Sequence, residues 1–218
     1  MRPGDILTHC FTGLTMKLVD DEGRLHDHAK RAWDAGVIMD VGHGTGSFSF
    51  QTAEAVLSTG RRPDVISTDL HQLSVNGPAY DLPTCMSKFL HLGIPLRDVV
   101  RAASSRPAEI LGIEREVGTL RPGSQADIAV FRLLRGRFPL YDIAGEMREA
   151  EELLVNTVTV VGGTVVDPLP PDPPAPWTEH PIWPEAQKPF TELQSMYRDR
   201  GHTPAAMRAA AEASGEST

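Results

Sequence analysis

Only two cysteines, Cys10 and Cys85, occur in the chain. They are too few for a disulfide framework, and no second cysteine stands near either one to begin a zinc finger. A reducing compartment fits that usage. Nowhere does an apolar run reach the roughly 18 residues that a membrane-spanning helix needs. The opening stretch, MRPGDILTHCF, lacks the apolar core of a secretory leader, so the cytoplasm is the expected location. Positive charge is also short: 21 Lys and Arg stand against 29 Asp and Glu, for a net charge of -8 and a sequence pI of about 5.5. Phosphate-rich partners need clustered Lys and Arg, and here the basic residues are scattered, the Arg61–Arg62 pair reading as an exposed loop. No nucleic acid and no membrane are expected as partners.

What is present is a chain of 218 residues, 40% hydrophobic and 23% charged, with room for one ordinary globular domain and an appendage. Three short apolar strands are predicted at Asp5–Cys10, Gly36–Val41 and Asp64–Thr68, spaced as successive βαβ units would be. Helical patterns fill the gaps. One runs from Leu25 to Asp34, with Leu25, Ala29, Ala32 and Trp33 on one side and Gly36 as its stop. Another covers Phe48–Ser58 and closes at Gly60. Helices follow at Cys85–Leu92, Leu96–Ser104 and from Pro107 to Gly112. The texture then turns to β, with Val117–Leu120, Asp127–Phe131, Phe138–Asp142, Leu154–Val161 and Thr164–Val166 as strands and Gly162-Gly163 as a hairpin turn. From Pro168 the run PLPPDPPAPW is extended and irregular. The expected organisation is α/β over 1–112, a small β-sandwich segment over 113–167, and a Pro-rich tail over 168–218.

Polar residues stand at the ends of the three predicted strands. His9 lies near the end of the first, His43 two residues past the second, and Asp69 directly after the third. Parallel α/β sheets gather ligands at the carboxyl ends of their strands. Imidazole and carboxylate together suit a divalent metal, and Asp69 is placed to move a proton as well. Strand alternation expects His9 to face the interior and Cys10 the outer helices. Taken singly, a strand-end His is more often a structural hydrogen-bonder, and an Asp after a strand commonly caps a helix; the joint pattern is what favours a metal. His26 and His28 lie on a polar helix face, whereas His71 is expected to line the pocket with Asp69. The run Gly42-His43-Gly44-Thr45-Gly46-Ser47 lacks a Walker lysine and dinucleotide glycine spacing, so its glycines are read as letting backbone approach a pocket closely.

The segments GDILTHCFTG, DVGHGTGSFSF, PDVISTDLH, MSKFLHLGIPLRDVV with SSRPAEILG, and GTLRPGSQADIAVF, in that order from Arg2 to Val166, resemble the amidohydrolase superfamily and within it the dihydroorotase-like deacetylase branch. The resemblance implies the C-terminal part, about three βα units, of a metal-dependent (β/α)8 barrel holding one or two Zn2+ or similar ions. It implies that His9 is the metal-binding histidine of the sixth strand. Asp69 becomes the eighth-strand aspartate, both metal ligand and general base and acid, and His43 falls at the seventh-strand end among the substrate contacts, where Gly44 beside it and the pocket-lining His71 are also expected to bind substrate. The family's His-x-His pair, lysine and fifth-strand histidine have no counterpart before His9, and His26-Asp27-His28 follows it in a helix. The expectation is a hydrolase of amide or ester bonds in small acylated substrates, inactive as this isolated fragment. The alternatives are a cyclic-amide hydrolase or a non-catalytic ligand-binding α/β remnant. A homo-oligomer, or a second chain bringing the missing barrel half, is the expected assembly.

Overall fold

The computed structural model describes residues 1–14, 16–71 and 74–166. The Pro-rich stretch from Pro168, with His180 and His202, lies outside them. Three strand ends run side by side in parallel. β1 (Ile6–Leu7) pairs with β2 (Ile38–Met39) in the register Ile6 to Ile38 and Leu7 to Met39, and a parallel bridge joins Asp40 to Val65. Hydrogen bonds extend this ladder beyond the regular strands. Asp40 N donates to Leu7 O and Cys10 N to Asp40 O, while Val41 N reaches Val65 O and His43 N reaches Ser67 O. The predicted third strand is therefore present as a paired extended segment, too irregular to form a full strand.

The helices follow from pattern and punctuation. α1 (Asp27–Asp34) buries Ala29, packs Ala32 and Trp33 against the core, and ends at Gly36 with φ 83°. α2 (Phe50–Ser58) starts at Ser49, whose hydroxyl accepts from Thr52 N. α3 (Leu82–His91) has Asp81 as its cap and a proline in its first turn. α4 (Leu96–Ala103) and α5 (Ser105–Leu111) follow, the latter ending on Gly112 in the left-handed region. No helix among the described residues is long and apolar enough to cross a membrane.

The segment expected to be a β-sandwich is a single antiparallel sheet in the order β3-β4-β5, formed by β3 (Ile128–Tyr141), β4 (Met147–Val161) and β5 (Thr164–Val166). Val117–Leu120 is not a strand, and the two predicted segments Asp127–Phe131 and Phe138–Asp142 belong to one long strand with register shifts at Val130/Phe131 and Arg135/Phe138. A bulge bends a strand without ending it, which is why the pattern broke where the pairing did not.

This sheet shares one core with the α/β unit. Leu140, Ala150 and Leu154 belong to the same buried cluster as Met39, Val41, Phe48 and Phe89. Polar ties complete the contact. Leu154 N donates to Ser87 Oγ at 2.9 Å, and Ile143 N donates to Phe48 O. Asp142 is fully buried, accepting from Phe50 N at the start of α2 and, through its other oxygen, from Ala144 N and Glu146 N at 2.9 Å each. Removing a buried acceptor leaves three amides to be satisfied elsewhere. Asp142→Ala should therefore lower unfolding stability by about 2 kcal/mol in chemical denaturation. A change within a few tenths would show that Asp142 does not tie the sheet to α2.

Candidate active site

The site is built where the three parallel segments end, and each of them turns into the left-handed region there. His9 has φ 61° and Asp69 φ 46°; between them, Gly42 and Gly44 have φ 48° and 49°. Glycine takes that conformation freely, but His and Asp carry a cost in it, and such strained residues cluster at functional sites. The turn also re-aims the side chains. Strict alternation would send Thr8 and His9 to opposite faces. Instead, a Cβ built on Gly42 would overlap Thr8 Oγ1 and stand 2.7 Å from His9 Nδ1, so both side chains gather over that glycine. Cys10 then returns to the core at 1% exposure.

His9 is anchored through one ring nitrogen. Its Nδ1–H donates to Gly42 O at 2.7 Å; the carbonyl can only accept, so the proton sits on Nδ1 and the lone pair on Nε2. Asp69 abuts the other end of the same turn, where a Cβ on Gly44 would stand 2.7 Å from Asp69 Oδ2. Gly44 N is in turn held by Thr68 O at 2.8 Å. Asp69 is exposed and His9 half-buried. The two residues singled out as ligands thus stand against the two ends of one three-residue turn.

His43, the middle of that turn, is where the structure departs from expectation. The sequence places it among the substrate contacts, but its ring is 0% exposed and both nitrogens are engaged. Nδ1–H donates to Gly44 O at 2.9 Å, and Nε2 accepts from Lys88 Nζ at 2.6 Å. The ring stacks on Phe48 with centroids 4.8 Å apart. His43 is an anchor beneath the rim. Gly44, expected as a substrate contact too, is buried and packs against the Asp69 carboxylate. His71 is exposed two residues beyond Asp69, its N–H donating to Ser74 Oγ at 2.7 Å. His26 and His28 stack on each other at the start of α1.

Lys88 was not singled out by sequence, although its spacing carries the signal. Cys85, Lys88 and Phe89 share the inward face of α3, and all three are buried. Its ammonium rests on His43 Nε2 and on Pro78 O at 2.8 Å, with the Phe48 ring 5.3 Å away. Burial pushes its pKa down to about 8, and burial next to that cation drives the His43 imidazole well below its ordinary value.

Asp40 was also missed. This half-buried carboxylate directly follows β2 and accepts from Thr8 Oγ1 and Ser67 Oγ at 2.6 Å each, while Ser67 Oγ accepts from Gly42 N at 3.0 Å. The signal was a lone acid inside the apolar run VIMDV.

The sequence model of the amidohydrolase family matches residues 29–166. This chain belongs to the amidohydrolase family. It is 37% identical over 164 residues to a deacetylase of Agrobacterium fabrum and 36% identical over 169 residues to a deacetylase of Enterococcus faecalis. These alignments cover 75% and 77% of the chain but 40% and 46% of the relatives, so the chain spans less than half their length. Among solved structures it is similar to an adenine deaminase, with a TM-score of 0.73, 36% identity, and coverage of 77% of this chain and 46% of that one. A dihydroorotase gives a TM-score of 0.69 at 36% identity, with 77% and 44% covered. The likeness in fold is to less than half of each of these structures.

The buried pair has a pH consequence. Because the folded pKa of His43 is depressed, the unfolded chain binds the proton more readily. The stability from a neutral His43 is complete above about 6.5 and is lost as the pH falls below it. The denaturation midpoint should drop between about pH 7.5 and about pH 5.5. His43→Gln, which keeps an acceptor for Lys88 but cannot titrate, should drop less; an equal drop would assign the acid sensitivity to other groups.

Proposed function

We propose that this chain carries part of the active site of a metal-dependent hydrolase that cleaves the amide or ester bond of a small acylated substrate, deacetylation being the first reading. The observation that carries it is the pairing of a His9 ring anchored on Gly42 O with an Asp69 carboxylate at the other end of the same turn. Zinc-binding histidines characteristically donate their second ring nitrogen to a carbonyl or carboxylate, which fixes the ring and leaves the other nitrogen for the ion. The donor chemistry, one imidazole nitrogen and one carboxylate, fits Zn2+ or a similar divalent ion. When bound, such an ion supplies an acidified water and a polarised carbonyl.

Catalytic zinc sites have about three protein ligands. Among the described residues, no group of three or more His, Cys, Asp or Glu is gathered to hold an ion. In this reading His9 and Asp69 are two of the donors, and polypeptide beyond the described residues, in the same chain or a second one, brings the others. Asp69 takes the proton from the attacking water and delivers it to the departing amine or alcohol as the carbonyl–heteroatom bond breaks.

Two relatives described as deacetylases favour an acylated substrate. The likeness to a dihydroorotase supports ring-opening of a cyclic amide as the second reading. The whole protein, supplied with zinc, should hydrolyse N-acetyl amino acids or O-acetyl hydroxy acids; inactivity there with turnover of cyclic imides would reverse the order. Asp69→Asn should cut turnover by a factor on the order of 10^2–10^4. Asn tolerates the left-handed backbone well, so stability should change by less than about 1 kcal/mol. Undiminished turnover would remove Asp69 from the proton path.

A further inference from the structure

Three side chains outside the proposed donor pair are tied together across all three strand ends. Asp40, on the central strand, holds Thr8 with one carboxylate oxygen and Ser67 with the other, each at 2.6 Å. Thr8 is the residue before His9, and both crowd over Gly42. A serine hydroxyl that donates to a carboxylate keeps its lone pairs for a donor on the far side, and Ser67 Oγ uses them on Gly42 N at 3.0 Å. The carbonyl of that same glycine is the group that orients the His9 ring. A continuous path therefore runs from the Asp40 carboxylate through Ser67, the amide and then the carbonyl of Gly42, to His9 Nδ1. A second arm reaches Thr8 directly.

We propose that Asp40 is a positioning residue for the ion site, fixing through Ser67 and Thr8 the Gly42 turn that presents His9 Nε2. The proposal rests on the reading of His9 as a metal donor. Its physical content is that a charged acceptor makes the hydroxyl bonds short and directional, where a neutral one would leave the turn free to rotate its carbonyl. Asp40 touches neither substrate nor ion in this role. Groups that orient a ligand in this way typically change metal affinity about 10–100-fold when removed.

The test measures zinc affinity of the whole protein by competition with a chromophoric chelator, independently of turnover. His9→Ala is the reference and should lose most of the affinity. Asp40→Ala should weaken zinc binding about 10–100-fold. Asp40→Asn, which keeps one acceptor oxygen in place, should recover part of that loss. Ser67→Ala and Thr8→Val cut the two arms separately and serve if Asp40→Ala does not fold; Ser67→Ala should reproduce most of the loss, because its arm leads to the Gly42 peptide. Folding of each variant is followed by circular dichroism. If His9→Ala weakens zinc binding while Asp40→Ala and Ser67→Ala bind zinc as the parent does, Asp40 merely stabilises the sheet and this inference fails alone. Zinc binding unaffected by His9→Ala would overturn the reading of the site, and this inference with it.

Discussion

A turn bare of side chains at both ends, Gly42 and Gly44, is the constraint on which the rest of the site depends. His9 and Asp69 come from strands on either side of it, and each occupies the space that a Cβ would need. Both glycines also lie in the left-handed region, where any other residue would be strained. The turn must nevertheless be rigid, since the Gly42 carbonyl sets the orientation of an imidazole. The structure meets both demands by locking the turn from two sides. Below, the His43 ring reaches into the core, closes on Gly44 O and receives Lys88. On the rim, Ser67 and Asp40 hold the Gly42 amide. The residue between the two glycines therefore acts as an anchor, which explains how a histidine amid the rim residues can be wholly buried.

The anchor needs a dense background, and the sheet of the second unit helps to supply it. Phe11, Phe48, Phe50 and Phe89 meet edge-on at centroid distances of 5.3–5.6 Å. α3, which carries Lys88 and Phe89, is clamped from behind by β4 through Leu154 and Ser87. The antiparallel sheet thus supports the rim from a distance: it fixes the helix that fixes the lysine that fixes the turn. At the other extreme Ile6 on β1 is 53% exposed.

Much of this was legible from residue order. The helices lie where 3.6-residue spacing and the glycine stops put them, because amphipathicity and left-handed caps are local signals. His9 and Asp69 do flank one turn, as polar residues at neighbouring parallel strand ends should. What escaped were properties of pairing and packing. Alternation cannot foresee that His9 adopts a positive φ and turns to the same side as Thr8. Asp40 and Ser67 look like ordinary polar residues until their strands are adjacent. The middle of β3 reads as a polar break in sequence, yet the strand runs on through it, with Arg135 opposite Glu152 in the ladder and Arg137 reaching Glu149 as an exposed ion pair.

The strain at the rim bears on why these side chains are there. A non-glycine residue in the left-handed region costs on the order of 1 kcal/mol or more, and His9 and Asp69 each carry that cost within one small site. Stability alone would favour glycine at both positions. Strain of this kind persists only where the surroundings over-determine the conformation. Here they do so twice: for His9 through Thr12 N on its own carbonyl, and for Asp69 through Ser74 Oγ on its own carbonyl, with Thr68 bonded to Gly44 beside it. Neither backbone bond needs an imidazole to be nitrogen-rich or a carboxylate to be charged. The donors are held in costly conformations by contacts that would serve a smaller residue equally well. On the metal reading proposed above, the strain is borne for what the side chains themselves offer: the imidazole nitrogen that the Nδ1 bond leaves over, and one carboxylate at the opposite end of the same turn.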